Sequence, residues 1–329
     1  MGVGKETGCA AYYERQTEDV VEHARAPDGW ILNYEQVSAG KFSGLIRQVD
    51  LPRFQIIEDR ANQAMVKSGT ALEGSVCFSL PAKGSSPQLI CLGNSYDKPG
   101  LLVADSRSLP EVRTVSYLRI FNLNVQKHLL VDYVAKQGLT LDTERSTYFF
   151  PFQRPLEQQE LTQAITNVLM LSKQGRLEQK VFRKNAQDLI LSHVLDVCDD
   201  TECLRHVSST RKKQMVDRAR TYVLEHSEEP LSIMDLCNHV GASRRKLQYC
   251  FQDVLGISPV SFLRIMRLNA VHRILCRVSD EKQIQDVAAD WGFWHLGHFT
   301  ADYRNLFGER PSDTRRRAIG KLPISDNAF

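Results

Sequence analysis

Six polar side chains stand close together at Ser243, Arg244, Arg245, Lys246, Gln248 and Tyr249, with no acid before Asp253. Arginine presents a rigid fork of N–H donors, and glutamine sets a donor beside an acceptor. These are the side chains that pair bidentately with guanine and adenine edges. Fifty-two residues further on, His295, Leu296, Gly297, His298, Thr300 and Ala301 occupy the equivalent positions. That second set is poorer in donors, and its histidines bring a positive charge to phosphate only as imidazolium. The first set therefore suits hydrogen bonding to base edges. The second suits phosphate contact and apolar contact with thymine methyls.

The elements that must position these residues form an internal repeat. Asp235-Leu-Cys-Asn-His-Val-Gly241 matches Asp286-Val-Ala-Ala-Asp-Trp-Gly292 at an offset of 51. Leu247, Phe251, Leu255-Gly256 and Pro259 match Phe299, Tyr303, Phe307-Gly308 and Pro311 at an offset of 52, so one residue is inserted in the second turn. Each copy predicts a helix-turn-helix. A short helix from Ile233 to Val240 stops at Gly241, Ser243 caps the next helix, and Leu247, Phe251 and Val254 or Leu255 form its buried face. The second copy runs from Gln283 to Trp291 and from about His295 to Leu306, burying Phe299, Tyr303 and Phe307. Pro259 to Arg277 reads as one long helix joining the copies. It would present both readers to one face of a duplex, about one helical turn (~34 Å) apart.

Charge agrees with that placement. The net charge is +3, but the chain from Arg211 onward carries 19 basic against 14 acidic residues, while the part before it is slightly acidic. The basic excess is a modest electrostatic footprint for nucleic acid.

The first part of the chain has another character. Trp30 to Asn124 holds short β-prone runs such as Phe54–Ile57, Val76–Leu80 and Tyr117–Phe121, separated by Gly, Pro and Ser turns. This predicts a small β-sandwich or barrel, followed by a helix over Asn124–Lys136. Glu157–Leu171 and Glu178–Val197 show helical spacing around Gly175, giving a helical hairpin that either caps the β-domain or forms a dimer face. The expected fold class is α+β. A sensor and dimerisation domain occupies 1–200, with a cupin-like barrel at about 30–124 and the hairpin at about 156–198. A linker follows at 201–213. An all-α domain occupies 214–320, with helix-turn-helix units at about 232–255 and 283–307.

A catalytic cupin-like barrel needs clustered histidines and carboxylates, and no histidine occurs between Trp30 and Asn124. No catalytic residue and no metal ligand set is therefore assigned, and the chain is not expected to be an enzyme. Eight cysteines, at 9, 77, 91, 198, 203, 237, 250 and 276, form no CxxC pair. They read as free thiols, with Cys237 and Cys250 on apolar helix positions. Apolar runs are short, as at Leu129-Leu-Val131, and Met1–Ala11 lacks a signal-peptide pattern. The expectation is a cytoplasmic protein with no membrane partner.

Leu236–Pro259, Arg267-Leu-Asn-Ala270 and Val287–Phe293, continuing through Phe299, Tyr303, Phe307-Gly308 and Pro311, resemble the AraC/XylS family of bacterial regulators. The resemblance covers about Gln214 to Ile319. It implies an N-terminal β-barrel sensor, a helical dimerisation hairpin, a linker and a DNA-binding domain. It also implies a homodimer that binds double-stranded DNA and a small-molecule effector, engages RNA polymerase and acts as an activator. Base contacts carried over by position fall on Arg245, Gln248 and Tyr249, and on Leu296, Gly297, His298 and Ala301. Alanine at 301 departs from the basic residue usual there. Within the family, Arg15-Gln-Thr17, Asp19-Val20, Glu22-His-Ala24, Gly40-Lys-Phe42, Gly44, Ser243-Arg-Arg245 and Trp291–Gly297 are similar to regulators of ethanolamine utilisation. That likeness implies ethanolamine with a cobalamin as effector. Two other functions compete with a ligand-responsive regulator: a constitutive architectural DNA binder, and a catalytic cupin-like barrel fused to a DNA-binding domain.

Overall fold

Short runs of β-prone residues, broken by Gly, Pro and Asp turns, make the first part of the chain a β-structure. Apolar residues at helical spacing make the rest a helical one. The computed structural model describes residues 11–82, 89–96, 98–137, 147–199, 205–226, 231–277 and 282–320. Two units separate. One comprises residues up to Tyr34 and Ser43–Ser208; the other comprises Glu35–Phe42 and Ser209 onward. The break at Ser208 lies inside the expected linker, but the early segment Glu35–Phe42 is an unforeseen member of the helical unit.

The first unit holds two sheets. The larger contains β1 (Ala11–Thr17), β3 (Gly44–Leu51), β4 (Phe54–Ala61), β11 (Leu118–Gln126), β6 (Ser75–Pro81), β9 (Gly100–Asp105), β12 (Tyr148–Pro151) and β13 (Arg205–His206), in that spatial order. The smaller contains β2 (Ile31–Gln36), β5 (Met65–Thr70), β10 (Leu109–Arg113), β7 (Leu89–Cys91) and β8 (Asn94–Tyr96). The sheets are not closed into a barrel, one of the two β-architectures that the turn spacing suggested. The register of β3 on β4 runs from Gly44 opposite Ala61 to Leu51 opposite Phe54, and β11 pairs along the other edge of β4.

Central strand β4 is buried on both faces. Phe54 and Ile56 join Val49, Val76, Phe78, Phe121 and Leu123 in the main core, which α3 (Pro155–Lys173) and α4 (Lys180–Cys198) cover with Leu161, Ile165, Val168, Ile190 and Val194. Gly175, at φ +70°, turns the chain between these helices. Leu161 is thus a core residue. The side of α3 and α4 turned away from the core exposes Met170, Val181, Phe182 and Leu189. Two expected boundaries move. Asn124 is the seventh residue of β11, and the helix after it, α2, spans Lys127–Gln137. The expected linker contains β13, paired with β12. The N-terminal segment is an edge strand and a short helix, α1 (Val20–Ala24), which Asp19 caps by accepting from the N–H groups of Val21 and Glu22.

On the other face of β4, Asp59 is buried and accepts from His23 Nε2 (2.9 Å), Lys67 Nζ (2.7 Å) and the Tyr34 hydroxyl (3.1 Å). Burial would raise its pKa, but Lys67 and His23 outweigh it and hold the carboxyl well below the usual range. Beside this cluster lies a cavity enclosing about 840 Å³ of atom-free space, its open mouth included. Its walls are chiefly apolar and aromatic, with Leu32, Tyr96, Leu102, Val112, Ile120 and Phe149. Tyr96 and Phe149 stack with ring centroids 3.8 Å apart.

The helical unit contains α5 (Arg211–Glu225), α6 (Ile233–Val240), α7 (Arg244–Leu255), α8 (Pro259–Leu275), α9 (Ile284–Asp290), α10 (Leu296–Phe307) and α11 (Pro311–Gly320). No single described helix is long and apolar enough to cross a membrane. Cys77, Cys91, Cys198, Cys237 and Cys250 are buried and Cys276 is half-buried; Cys9 and Cys203 lie outside the described residues.

Candidate nucleic-acid interface

Helix α6 begins with a reciprocal cap. Ser232 Oγ accepts from Asp235 N (3.2 Å), while the Asp235 carboxylate accepts from Ser232 N (2.8 Å). It ends at Gly241, whose φ of +67° is a left-handed conformation that costs glycine little. Ala242 N donates back to the Cys237 carbonyl at 3.0 Å, closing the turn. Ser243 then caps α7 by accepting from Lys246 N. Leu247, Cys250, Phe251, Val254 and Leu255 are buried, and Phe251 meets Phe262 of α8 edge-on at 4.8 Å.

With that face fixed, the opposite face of α7 is determined. Ser243, Arg244, Arg245, Lys246, Gln248 and Tyr249 are all exposed. Ser243, Arg245, Lys246, Gln248, Tyr249 and Gln252 line a shallow surface hollow. A side chain the sequence did not point to joins them. Lys212 of α5 is ion-paired with Asp253 at 2.7 Å, and its ammonium lies 4.6 Å from the centre of the Tyr249 ring. Helix α5 also braces α6, because Arg218 donates to the His239 carbonyl (2.9 Å) and Tyr222 stacks on His239 at 4.1 Å.

The second helix pair is built differently. Its turn is longer, with Gly292 at φ +75° and Phe293 N bonded to the Ala288 carbonyl at 2.9 Å. A Cβ at Gly292 would lie 3.2 Å from the end of the Arg267 side chain, so it is the left-handed backbone that calls for glycine here. His295 occupies the N-cap position of α10 without a side-chain capping bond. Phe299, Tyr303, Leu306 and Phe307 pack with Leu268, Val271, Leu275, Val287 and Ala288. A buried chain of hydrogen bonds pins α10 to α8 and α11: His272 Nδ1 to the Tyr303 hydroxyl (2.6 Å), and that hydroxyl to Thr314 Oγ1 (2.9 Å). His295, Leu296, Gly297, His298 and Ala301 are exposed and Thr300 is half-buried.

Each set thus shares one solvent face of its own helix, and the two differ in chemistry. The α7 face carries three cationic side chains, an amide and a phenol. The α10 face carries two imidazoles, with ring centroids 5.8 Å apart, among Leu296, Gly297 and Ala301. The repeat made both faces legible. No sequence signal marked Lys212, or the part played by Glu35–Phe42.

Residues 236–317 match the model of a helix-turn-helix domain family. The chain is 34% identical over 103 residues to the "Probable thc operon regulatory protein" of Rhodococcus erythropolis, covering 31% of each chain. It is 33% identical over 99 residues to the "XylDLEGF operon transcriptional activator 2" of Pseudomonas putida, covering 30% of this chain and 63% of that one. A solved structure described as "a probable AraC family transcriptional regulator", from Rhodopseudomonas palustris, is 34% identical; the match covers 32% of this chain and 97% of that one, with a TM-score of 0.30. The matched stretch therefore spans less than two thirds of the two operon regulators. By this match, and by the helices that carry it, the chain bears the helix-turn-helix DNA-binding domain of the AraC/XylS family of transcriptional regulators.

Proposed function

We propose that this chain is a sequence-specific, ligand-responsive activator of transcription that works in the cytoplasm as a homodimer. The observation that carries the reading is the solvent face of α7, where Arg244, Arg245, Lys246, Gln248 and Tyr249 stand exposed on a helix whose other side is locked in the core. Arg245 and Gln248 read base edges, and Arg244, Lys246 and Ser243 hold phosphates. The α10 helix of the second helix-turn-helix unit fixes register through His295 and His298 and makes apolar contact through Leu296 and Ala301. Selection of bound duplexes from a randomised pool, followed by footprinting, tests this: one information-rich half-site beside a poorer one supports it.

The rest of the chain supplies control. The cavity of the sheet unit is the effector site, and its sandwich of two sheets takes the place of the expected barrel. Among the lining residues nothing favours a cobalamin: no histidine is there to coordinate its cobalt, and burial pushes the Cys77 thiol up to about 12, away from the thiolate form. Ethanolamine fits poorly as well, because the lining carboxylate, Asp59, is already held by His23, Lys67 and Tyr34. The walls favour a mostly apolar small molecule. The exposed apolar residues of α3 and α4, with Phe182 and Leu189 seven residues apart on one helix face, form the dimer contact. RNA polymerase is the partner that activation requires. Non-enzymatic sensing accounts for the sheet unit, since its buried histidine, His23, serves Asp59 and Thr17.

A further inference from the structure

Eight residues from far earlier in the chain, Glu35–Phe42, are woven into the helical unit. Four grips hold them. The side-chain amide of Asn269, in the middle of α8, treats Gln36 as a neighbouring strand would: Asn269 Oδ1 accepts from Gln36 N at 3.0 Å, and Asn269 Nδ2 donates to the Gln36 carbonyl at 3.0 Å. The Gln36 side chain, fully buried, shares its two amide N–H groups among the carbonyls of Ser38 (2.9 Å), Gly40 (2.7 Å) and Leu306 (2.6 Å). Glu35, also buried, lies between Arg220 of α5 (2.7 Å) and Arg273 of α8 (3.3 Å). Gly40 N reaches the Asn305 and Leu306 carbonyls, at 3.1 and 3.0 Å.

These grips fall on a particular place. The last carbonyls of a helix have no partner within the helix, and here the strap satisfies two of those of α10, Asn305 and Leu306. A Cβ at Gly308, the residue that ends α10, would lie 2.5 Å from Lys41 N. The strap therefore bridges the end of the second reader, the middle of the joining helix and α5, which packs on the first reader. The N-terminal turns of both readers stay uncovered, since Arg244, Arg245, Leu296 and Gly297 are exposed.

From this we infer that Glu35–Phe42 is a working part of the DNA-binding unit, a strap that sets the second reader against the first, with Gln36, Glu35 and Asn269 as positioning residues. The inference rests on the DNA-reading function proposed above. It gives Asn269, in the helix that joins the two copies of the repeat, a task directed at main chain encoded more than two hundred residues away. Because the strap grips the far end of α10, its loss should misplace that reader and leave α7 in register.

The test uses the full chain and a duplex selected by the wild type. Asn269→Ala and Glu35→Gln are compared with wild type by quantitative footprinting, by hydrogen exchange over residues 35–42 and by thermal melting. The expected result is faster exchange in the strap and about tenfold more protein needed to protect the half-site under α10, with protection under α7 unchanged. Should Asn269→Ala not fold, Glu35→Gln, which opens no cavity, carries the same comparison. Equal loss at both half-sites in step with a lowered melting temperature would make these residues merely structural and overturn the inference. Unchanged footprints would overturn it too, and tighter binding would show the strap to be a block. If the wild type selects no duplex at all, it is the DNA-reading function that fails.

Discussion

Two glycines end comparable helices in the helical unit under different constraints, and substituting each by alanine separates the constraints. Gly241 closes α6 at φ +67° with open space where a Cβ would stand. Gly241→Ala should therefore cost only the left-handed conformation, about 1–2 kcal/mol. Gly308 closes α10 at φ +71°, but its Cβ would lie 2.5 Å from Lys41 N and 2.7 Å from Lys41 Cα. Those are backbone atoms, so the strap itself must shift. Adding about 1–3 kcal/mol for overpacking brings Gly308→Ala to roughly 2–5 kcal/mol. For a unit of about 130 residues, 1 kcal/mol corresponds to about 4 °C in melting temperature. The expected drops are then about 4–8 °C for Gly241→Ala and about 8–20 °C for Gly308→Ala. Calorimetry on the full chain, following the transition of the helical unit, measures both. Equal drops would refute the reasoning, because they would mean that Lys41 does not press on Gly308 in solution.

Other perturbations test other parts of the account. If the two readers together neutralise about six phosphates, the logarithm of affinity should fall with that of salt at a slope near −5, losing about a thousandfold between 50 and 200 mM; titration by fluorescence anisotropy checks this, and a flat response would exclude groove docking. The depressed pKa of Asp59 means that its contribution to the sheet unit is complete above the unfolded value, about 4, and is lost as pH falls below it. Urea unfolding from pH 7 to pH 3 should show that loss in the wild type and a smaller one in Asp59→Asn. Phe182→Glu, at a half-exposed position of α4, should turn the protein monomeric in sedimentation and leave the melting of the sheet unit nearly unchanged. A persistent dimer would place the contact elsewhere.

The helical unit was legible because its signals are local and repeated. Gly241 and Gly308 stop helices, Ser243 caps one, and the apolar spacing of Leu247, Phe251 and Leu255 fixes which side of α7 faces outward. The structure finds each where the repeat set it. The sheet unit was legible only as a class. Strands β1 and β2 lack clean alternation; β4 is buried on both faces although Gln55, Glu58 and Asp59 interrupt its apolar residues. Whether sheets close depends on pairings between distant strands, which periodicity does not encode. The helix expected from Asn124 starts three residues later because Asn124 and Val125 still pair with β4 and β6. The strap was invisible for the same reason. Gln36 and Asn269 are 233 residues apart, and an asparagine in a helix pattern gives no sign of what its amide will meet. Leu161 and Leu189 looked equivalent by spacing, yet one is fully buried and the other half-exposed.

The central claim, that α7 reads sequence and α10 mainly fixes position, is tested most directly by selecting duplexes from a randomised pool with wild type, Arg245→Ala, Gln248→Ala and His298→Ala. A bidentate pair discriminates by about 1–3 kcal/mol, so removing Arg245 or Gln248 should erase preference at one or two base positions of a single half-site, by roughly 5- to 150-fold. His298→Ala should weaken binding with little change in preferred sequence. Equal information in both half-sites, lost selectively in His298→Ala and retained in Arg245→Ala, would contradict the account.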